Sequence, residues 1–188
     1  MTPNTSETGA MVKIALICLS PAVDGGEMPL PMPSYGIHRI RAAALSAPSP
    51  VPREIRVFDL GHSSFAELSA AVSEFGPDLI GMSVYVWSTP GLLNLAVDLR
   101  AKLPNVTILF GGPSARTELF DLPSYAGRAA ALDALCVGDG EAVIQDIIGL
   151  GTITRAGLAS GPIWVAASSP GPTVSAFARS ASAAAKRS

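Results

Sequence analysis

Gly81-Met82-Ser83-Val84-Tyr85-Val86-Trp87-Ser88-Thr89 and Phe110-Gly111-Gly112-Pro113 are two breaks in otherwise apolar sequence. Each follows a run that reads as a strand, residues 78–82 and 106–110, and each precedes a run that reads as a helix. A third break, Gly138-Asp139-Gly140-Glu141, follows the strand-like residues 134–137. Glycines, a serine and two aromatics therefore gather where strands end. In an open α/β sheet, that carboxyl edge is where ligands bind.

Outward from these breaks the chain alternates strand and helix. Residues 12–19 form a nearly continuous apolar run, as expected of a strand buried on both faces. A long break with four prolines and two glycines occupies residues 20–34. Residues 35–47 read as a helix, with Ile37, Ile40, Ala44 and Leu45 on one face. A second strand covers 54–60, and Ser64 with Glu67 forms a capping-box pair opening a helix through Phe75. The third strand spans 79–84. Thr89 reads as the N-cap of the next helix, with Pro90 at its first position and its end near Lys102. The fourth strand is 106–110, a short weak helix follows Ser114, the fifth strand is 134–137, and the last helix covers 141–148.

Strands separated by helices imply right-handed crossovers and a mostly parallel sheet. Five such units predict an α/β, flavodoxin-like (Rossmann-like) three-layer sandwich with parallel strands in the order 2-1-3-4-5. The expected organisation is a disordered leader over 1–11, one α/β domain over 12–150, and a tail over 151–188. In that tail, 152–156 and 162–166 could pair as a hairpin, and the Ser/Ala/Pro-rich remainder has too few large apolar side chains to fold.

Composition narrows the function. The chain has 188 residues, 48% apolar and only 6% aromatic, which suits aliphatic strands under alanine-rich helices. No apolar run approaches the roughly 18 residues needed to cross a membrane, and residues 1–11 lack the features of a secretory signal, so a cytoplasmic location is expected. Residues 1–150 hold all fifteen acids against nine Lys/Arg, a net −6, while the tail carries four basic residues and no acid. An acidic core argues against nucleic acid, which selects a basic face. The two cysteines, Cys18 and Cys136, lie inside strand-like runs and read as small buried residues. They are too few for a structural zinc without other ligands, or for a three-cysteine iron–sulfur motif.

The ligand is narrowed by elimination. The first break lacks the G-x-G-x-x-G spacing of a dinucleotide site, and no G-K-[ST] of a phosphate loop occurs. Ser83 stands where a phosphate-accepting signalling domain would place an aspartate, and Ser20 alone does not make the hydroxyl-rich loop of a flavin mononucleotide site. What remains is a long first loop, a Ser-x-Tyr-x-Trp third loop, a Gly-Gly fourth loop and a Gly-Asp-Gly-Glu fifth loop. With its breaks gathered at one edge, the chain reads as a binding module for one large, flat, phosphate-bearing ligand.

Pro33-Ser34-Tyr35-Gly36, Pro77-Asp78-Leu79-Ile80-Gly81-Met82-Ser83, Tyr85-Val86-Trp87, Phe110-Gly111-Gly112-Pro113 and Val137-Gly138-Asp139-Gly140-Glu141 together cover about residues 12–148. In order and spacing they resemble cobalamin-binding domains, and more narrowly the N-terminal domain of cobalamin-dependent radical SAM enzymes, many of them methyltransferases. The resemblance implies non-covalent cobalamin binding with the nucleotide tail buried against the sheet. It implies that Ser83 contacts the benzimidazole, that Gly111 and Gly112 let the tail run against bare backbone, and that Gly138 and Gly140 permit close approach. Tyr85 and Trp87 would pack beside the corrin or the base, plain core packing being the competing reading. The cofactor-binding candidates are Ser20, Pro33, Tyr35, Gly36, Ser83, Tyr85, Trp87, Gly111, Gly112, Pro113, Gly138, Asp139, Gly140 and Glu141. For Asp139 and Glu141 the competing reading is helix N-terminal charge.

Two departures qualify the resemblance. The D-x-H-x-x-G motif whose histidine ligates cobalt in other cobalamin domains is absent after the first strand. Asp59-Leu60-Gly61-His62 has the wrong spacing and follows the second strand, and His38 lies nearer the expected site. Base-off cobalamin without a histidine ligand is therefore expected, with no metal-ligating residue and no iron–sulfur cluster. The catalytic barrel with its Cys-x-x-x-Cys-x-x-Cys motif is also missing, and no catalytic set is identified. The expected role is a carrier or accessory domain whose partner, besides cobalamin, is a radical SAM barrel protein in trans. The alternatives are a truncated relic serving as a protein-interaction module and a small flavodoxin-like nucleotide binder.

Overall fold

The computed structural model describes residues 11–19, 33–59, 64–151 and 153–154. The leader up to residue 10, Ser20, His62, the expected hairpin apart from residues 153–154, and the low-complexity tail lie outside the described residues. Among the described residues the chain alternates β1 (Val12–Cys18), α1 (Tyr35–Ser46), β2 (Arg53–Phe58), α2 (Phe65–Phe75), β3 (Leu79–Ser83), α3 (Thr89–Lys102), β4 (Thr107–Gly111), α4 (Thr117–Phe120), α5 (Pro123–Ala129), β5 (Ala134–Leu135) and α6 (Gly140–Gly149). Every pairing in the sheet is parallel, and the strand order is β2-β1-β3-β4-β5, as the sequence predicts. The chain moves outward from β1 in both directions, so the switch point falls between β1 and β3.

The central strands are aliphatic because they are covered on both sides. Ile14, Leu16 and Cys18 pack with Ile37 of α1 and with Val143 and Ile147 of α6. The alternate residues Ala15 and Ile17 pack with Leu68 and Val72 of α2 and with Leu92 and Leu99 of α3. This period-two division of one strand between two layers makes the three-layer sandwich.

Local signals hold with small shifts. Ser64 caps α2 by accepting the Glu67 N–H at 3.2 Å, and Gly76, at φ +63°, ends that helix in the left-handed region. α3 begins one residue earlier than the sequence suggests. Ser88 is its cap, and Thr89 is already helical, its hydroxyl donating to the Tyr85 carbonyl at 2.8 Å. The segment after Ser114 forms two short helices, because Leu122-Pro123 restarts the turn. β2 ends at Phe58 rather than residue 60, and β5 pairs over two residues rather than four. Beyond β5 the Cys136 N–H still donates to Phe110 O at 2.7 Å, and Gly138, at φ +103°, turns the chain into α6. Leu45, expected on the buried face of α1, is 47% exposed, whereas Ile37 and Ala44 are buried.

Polar pins fix the lower edge of the sheet. Asp78, just before β3, accepts the Lys13 N–H of β1 at 2.8 Å. Asp133, just before β5, accepts the Ile108 N–H of β4 at 2.8 Å. Arg100 of α3 reaches the same corner, pairing with Asp133 and donating to the carbonyls of Ala131, Pro104 and Val106. With Arg100 17% and Asp133 7% exposed, this pair is largely dry. Arg100→Met would leave an acceptor-rich corner without its cation, and should lower the free energy of unfolding by about 3 kcal/mol, measured by urea denaturation with an unchanged far-UV spectrum at zero denaturant.

Candidate functional site

At the opposite, carboxyl edge a groove of about 290 Å³ opens between α1 and α6. Its floor is the sheet itself. Leu16, Gly81 and Leu109 lie side by side in register across β1, β3 and β4, with Cys136 beside them. A Cβ on Gly81 would stand 3.1 Å from Leu16 Cδ2, so the glycine keeps this floor low. Ile37 and Ile40 of α1 form one wall, Val143 and Ile144 of α6 the other. The two helices meet closely because α6 starts with glycine: a Cβ on Gly140 would fall 2.8 Å from Ile40 Cδ1.

The mouth is built by the loops after β3 and β4. Ser83 ends β3 half-buried at the groove. The two loops are stitched together: the Val84 N–H donates to Gly111 O at 2.7 Å, and the Ser114 N–H donates to Val84 O at 3.2 Å. Gly112 sits at φ +100°, where a Cβ would lie 3.0 Å from both Ser83 Oγ and Val84 O. Backbone conformation and crowding therefore both demand glycine there. At Gly111 a Cβ would make an ordinary 3.4 Å contact with Cys136 Cβ. The glycine pair thus divides its duties, Gly112 shaping the loop behind Ser83 and Gly111 lying along the groove.

Tyr85 lines the groove and stacks on Trp87, with ring centroids 4.8 Å apart and planes 12° apart. Neither aromatic is plain core: Tyr85 is half-buried and Trp87 is 54% exposed. Tyr35, 77% exposed, stands on the opposite lip. Of the residues singled out in the sequence, Tyr35, Gly36, Ser83, Tyr85, Gly111, Gly112, Pro113, Gly138, Gly140 and Glu141 come together around this one groove. Trp87 touches it only through Tyr85. Pro33 is exposed and is not among the residues lining it, and Ser20 lies outside the described residues. Asp139 is the N-cap of α6, accepting the Glu141 N–H at 3.1 Å. Its hydrogen bonding with Glu141 holds the carboxyl below the usual range.

Sequence reading missed the floor and walls, together with Arg39 of α1, which lines the groove and pairs with Glu141 Oε1 at 2.9 Å. The available signal was Gly81, since a glycine inside a strand marks close approach of something else. His38 is not among the groove residues. Its Nε2 lies 2.9 Å from Asp59 Oδ2, which also accepts the Ser34 N–H at 3.0 Å. Among the described residues, no cluster of three His, Cys, Asp or Glu side chains could hold a metal, and no helix is long and apolar enough to cross a membrane.

Burial raises the thiol pKa of both cysteines. Cys136 is pushed up to about 11, first by desolvation and then by the Asp139 and Glu141 carboxylates.

The family model described as the B12 binding domain matches residues 37–148 of the chain. No curated protein matches it.

Two outcomes follow from this geometry. Gly112→Ala should cost about 2 kcal/mol of stability through strain at a positive φ, read as a lowered denaturation midpoint. Cys136 should resist iodoacetamide at about pH 8, reacting at least about 100-fold more slowly than a free thiol. The raised pKa favours the folded state fully below pH 9.0, and that contribution is lost as pH rises through about 11. Wild-type stability should therefore fall across this window more steeply than that of Cys136→Ala.

Proposed function

The chain belongs to the B12-binding domain family, and from that premise we propose that the groove between α1 and α6 receives the nucleotide tail of a non-covalently held cobalamin. The observation that carries this reading is the groove itself, a largely apolar slot of about 290 Å³ with the Ser83 hydroxyl at its mouth. That volume lies at the lower end of the roughly 300–1,000 Å³ typical of small-molecule sites. It has room for a flat base and not for a corrin macrocycle, which would rest outside.

The residues fit such a ligand. Leu16, Gly81 and Leu109 offer a flat apolar floor to an aromatic base. Ser83 can donate to a ring nitrogen that would be costly to bury unpaired. The Tyr85–Trp87 stack and Tyr35 offer broad apolar contact beside the entrance. His38, occupied with Asp59 rather than lining the groove, fits a base-off mode in which no protein histidine ligates the metal. When bound, cobalamin supplies a cobalt centre able to carry a methyl group. The chain's own residues bind the tail, orient the corrin and keep water from the base. The wider reading is a carrier or accessory domain, akin to that of cobalamin-dependent radical SAM enzymes, which serves methyl transfer or radical chemistry done by a barrel protein in trans. A relic would have the groove filled by Leu30, Met32 or Tyr85. Among the described residues Tyr85 lies against Trp87 and leaves the slot open, while Leu30 and Met32 lie outside the described residues.

Hydroxocobalamin added to the purified protein should co-elute on gel filtration with a base-off visible spectrum. A folded protein that retains no cobalamin would overturn the reading. Gly36 gives the matching variant, because a side chain there enters the groove from α1 with only a 3.7 Å contact to Tyr85 Oη. Gly36→Leu should keep or slightly raise the melting temperature, since glycine is a poor helix residue, while weakening cobalamin binding by about 100-fold, ~2.7 kcal/mol.

A further inference from the structure

Among the described residues, the charged side chains lining the groove are Arg39 and Glu141. They stand on facing helices, and their 2.9 Å ion pair crosses the gap between α1 and α6. The pair is a rim feature, Arg39 being 57% exposed and Glu141 30%. Asp139 is close enough for Arg39 to influence its carboxyl. One guanidinium is therefore held at the entrance of an apolar slot by the Glu141 carboxylate of the opposite helix.

We infer that Arg39 is the phosphate-recognition residue of this groove, and that Glu141 is a competing anion holding the guanidinium in place until the ligand's phosphodiester displaces it. The inference rests on the cobalamin reading above. A ligand whose base reaches the floor while its macrocycle stays outside must thread a connecting segment between α1 and α6. In cobalamin that segment carries the phosphodiester. Among the described residues the cation at this passage is Arg39, whose planar fork matches two phosphate oxygens at once. Its present partner is easily surrendered, because an ion pair this exposed is screened and contributes little. The arrangement also sets a preference: a corrinoid without the tail phosphate leaves the Arg39–Glu141 pair intact and draws nothing from it.

Affinities of wild type, Arg39→Ala, Arg39→Lys and Glu141→Gln should be measured for hydroxocobalamin and for cobinamide, which keeps the corrin but lacks the phosphate, ribose and base. Arg39→Ala should weaken cobalamin binding about tenfold and flatten its salt dependence, with cobinamide binding unchanged. Arg39→Lys should recover part of the loss. Glu141→Gln, which removes the competitor, should tighten cobalamin binding severalfold and leave cobinamide unaffected, whereas a pair that only braces the helices would give weaker binding. Equal losses for both ligands in Arg39→Ala, no loss for cobalamin, or no tightening in Glu141→Gln would overturn the assignment. Failure of wild type to bind either corrinoid is a different result: it removes the cobalamin reading itself, and Arg39's role with it.

Discussion

The carboxylates of Asp78 and Asp133 hold neighbouring strands by their backbone amides at the amino-terminal edge of the sheet. Parallel strands have no hairpin to set their register, so something else must. Here one aspartate ties β3 to β1 and another ties β5 to β4, with Arg100 fastening the second corner to α3. These three side chains thus act at the end of the sheet opposite the groove. The carboxyl edge is left to glycines and short loops, and its register is inherited from below. The alignment of Leu16, Gly81 and Leu109 into one floor depends on that inheritance, because a slip of one residue would turn each side chain to the other face.

The groove exists because two helix starts and two loops are kept small where they converge. Gly140 lets α6 begin against Ile40, Gly36 leaves the lip of α1 bare, and Gly112 accepts a backbone conformation that brings its loop under Ser83. Each economy is local, but all face the same opening. The charged groups are few and placed at the rim, so the interior remains apolar while the entrance keeps a cation. Such a division suits a ligand that is greasy at one end and ionic in its middle.

Much of this was legible in the sequence, and the exceptions have physical causes. Aliphatic runs such as residues 12–18 could hardly be anything but doubly covered strands, and the glycine breaks that follow them marked the binding edge. The strand order followed from the alternation of elements. Boundaries slipped where a signal lay one residue off: Ser88 and Thr89 both suit a cap, and in the fold the N–H and hydroxyl of Thr89 both donate to the Tyr85 carbonyl, with Thr89 already inside the helix. The mouth of the groove was readable because its residues are unusual for their positions. The floor was not, because Leu16 and Leu109 resemble every other core aliphatic until strand register sets them beside Gly81. Arg39 resembles any exposed helix arginine until α6 is packed opposite it.

The stacked pair at the rim also gives the molecule an optical property. Trp87, half exposed and lying flat against Tyr85, puts an indole fluorophore one ring away from the groove. A pigment that absorbs in the near ultraviolet and settles at this entrance would drain the indole's excited state by energy transfer, and a colourless occupant would not. Emission from this corner therefore reports the colour of whatever sits beside it, without any label being added.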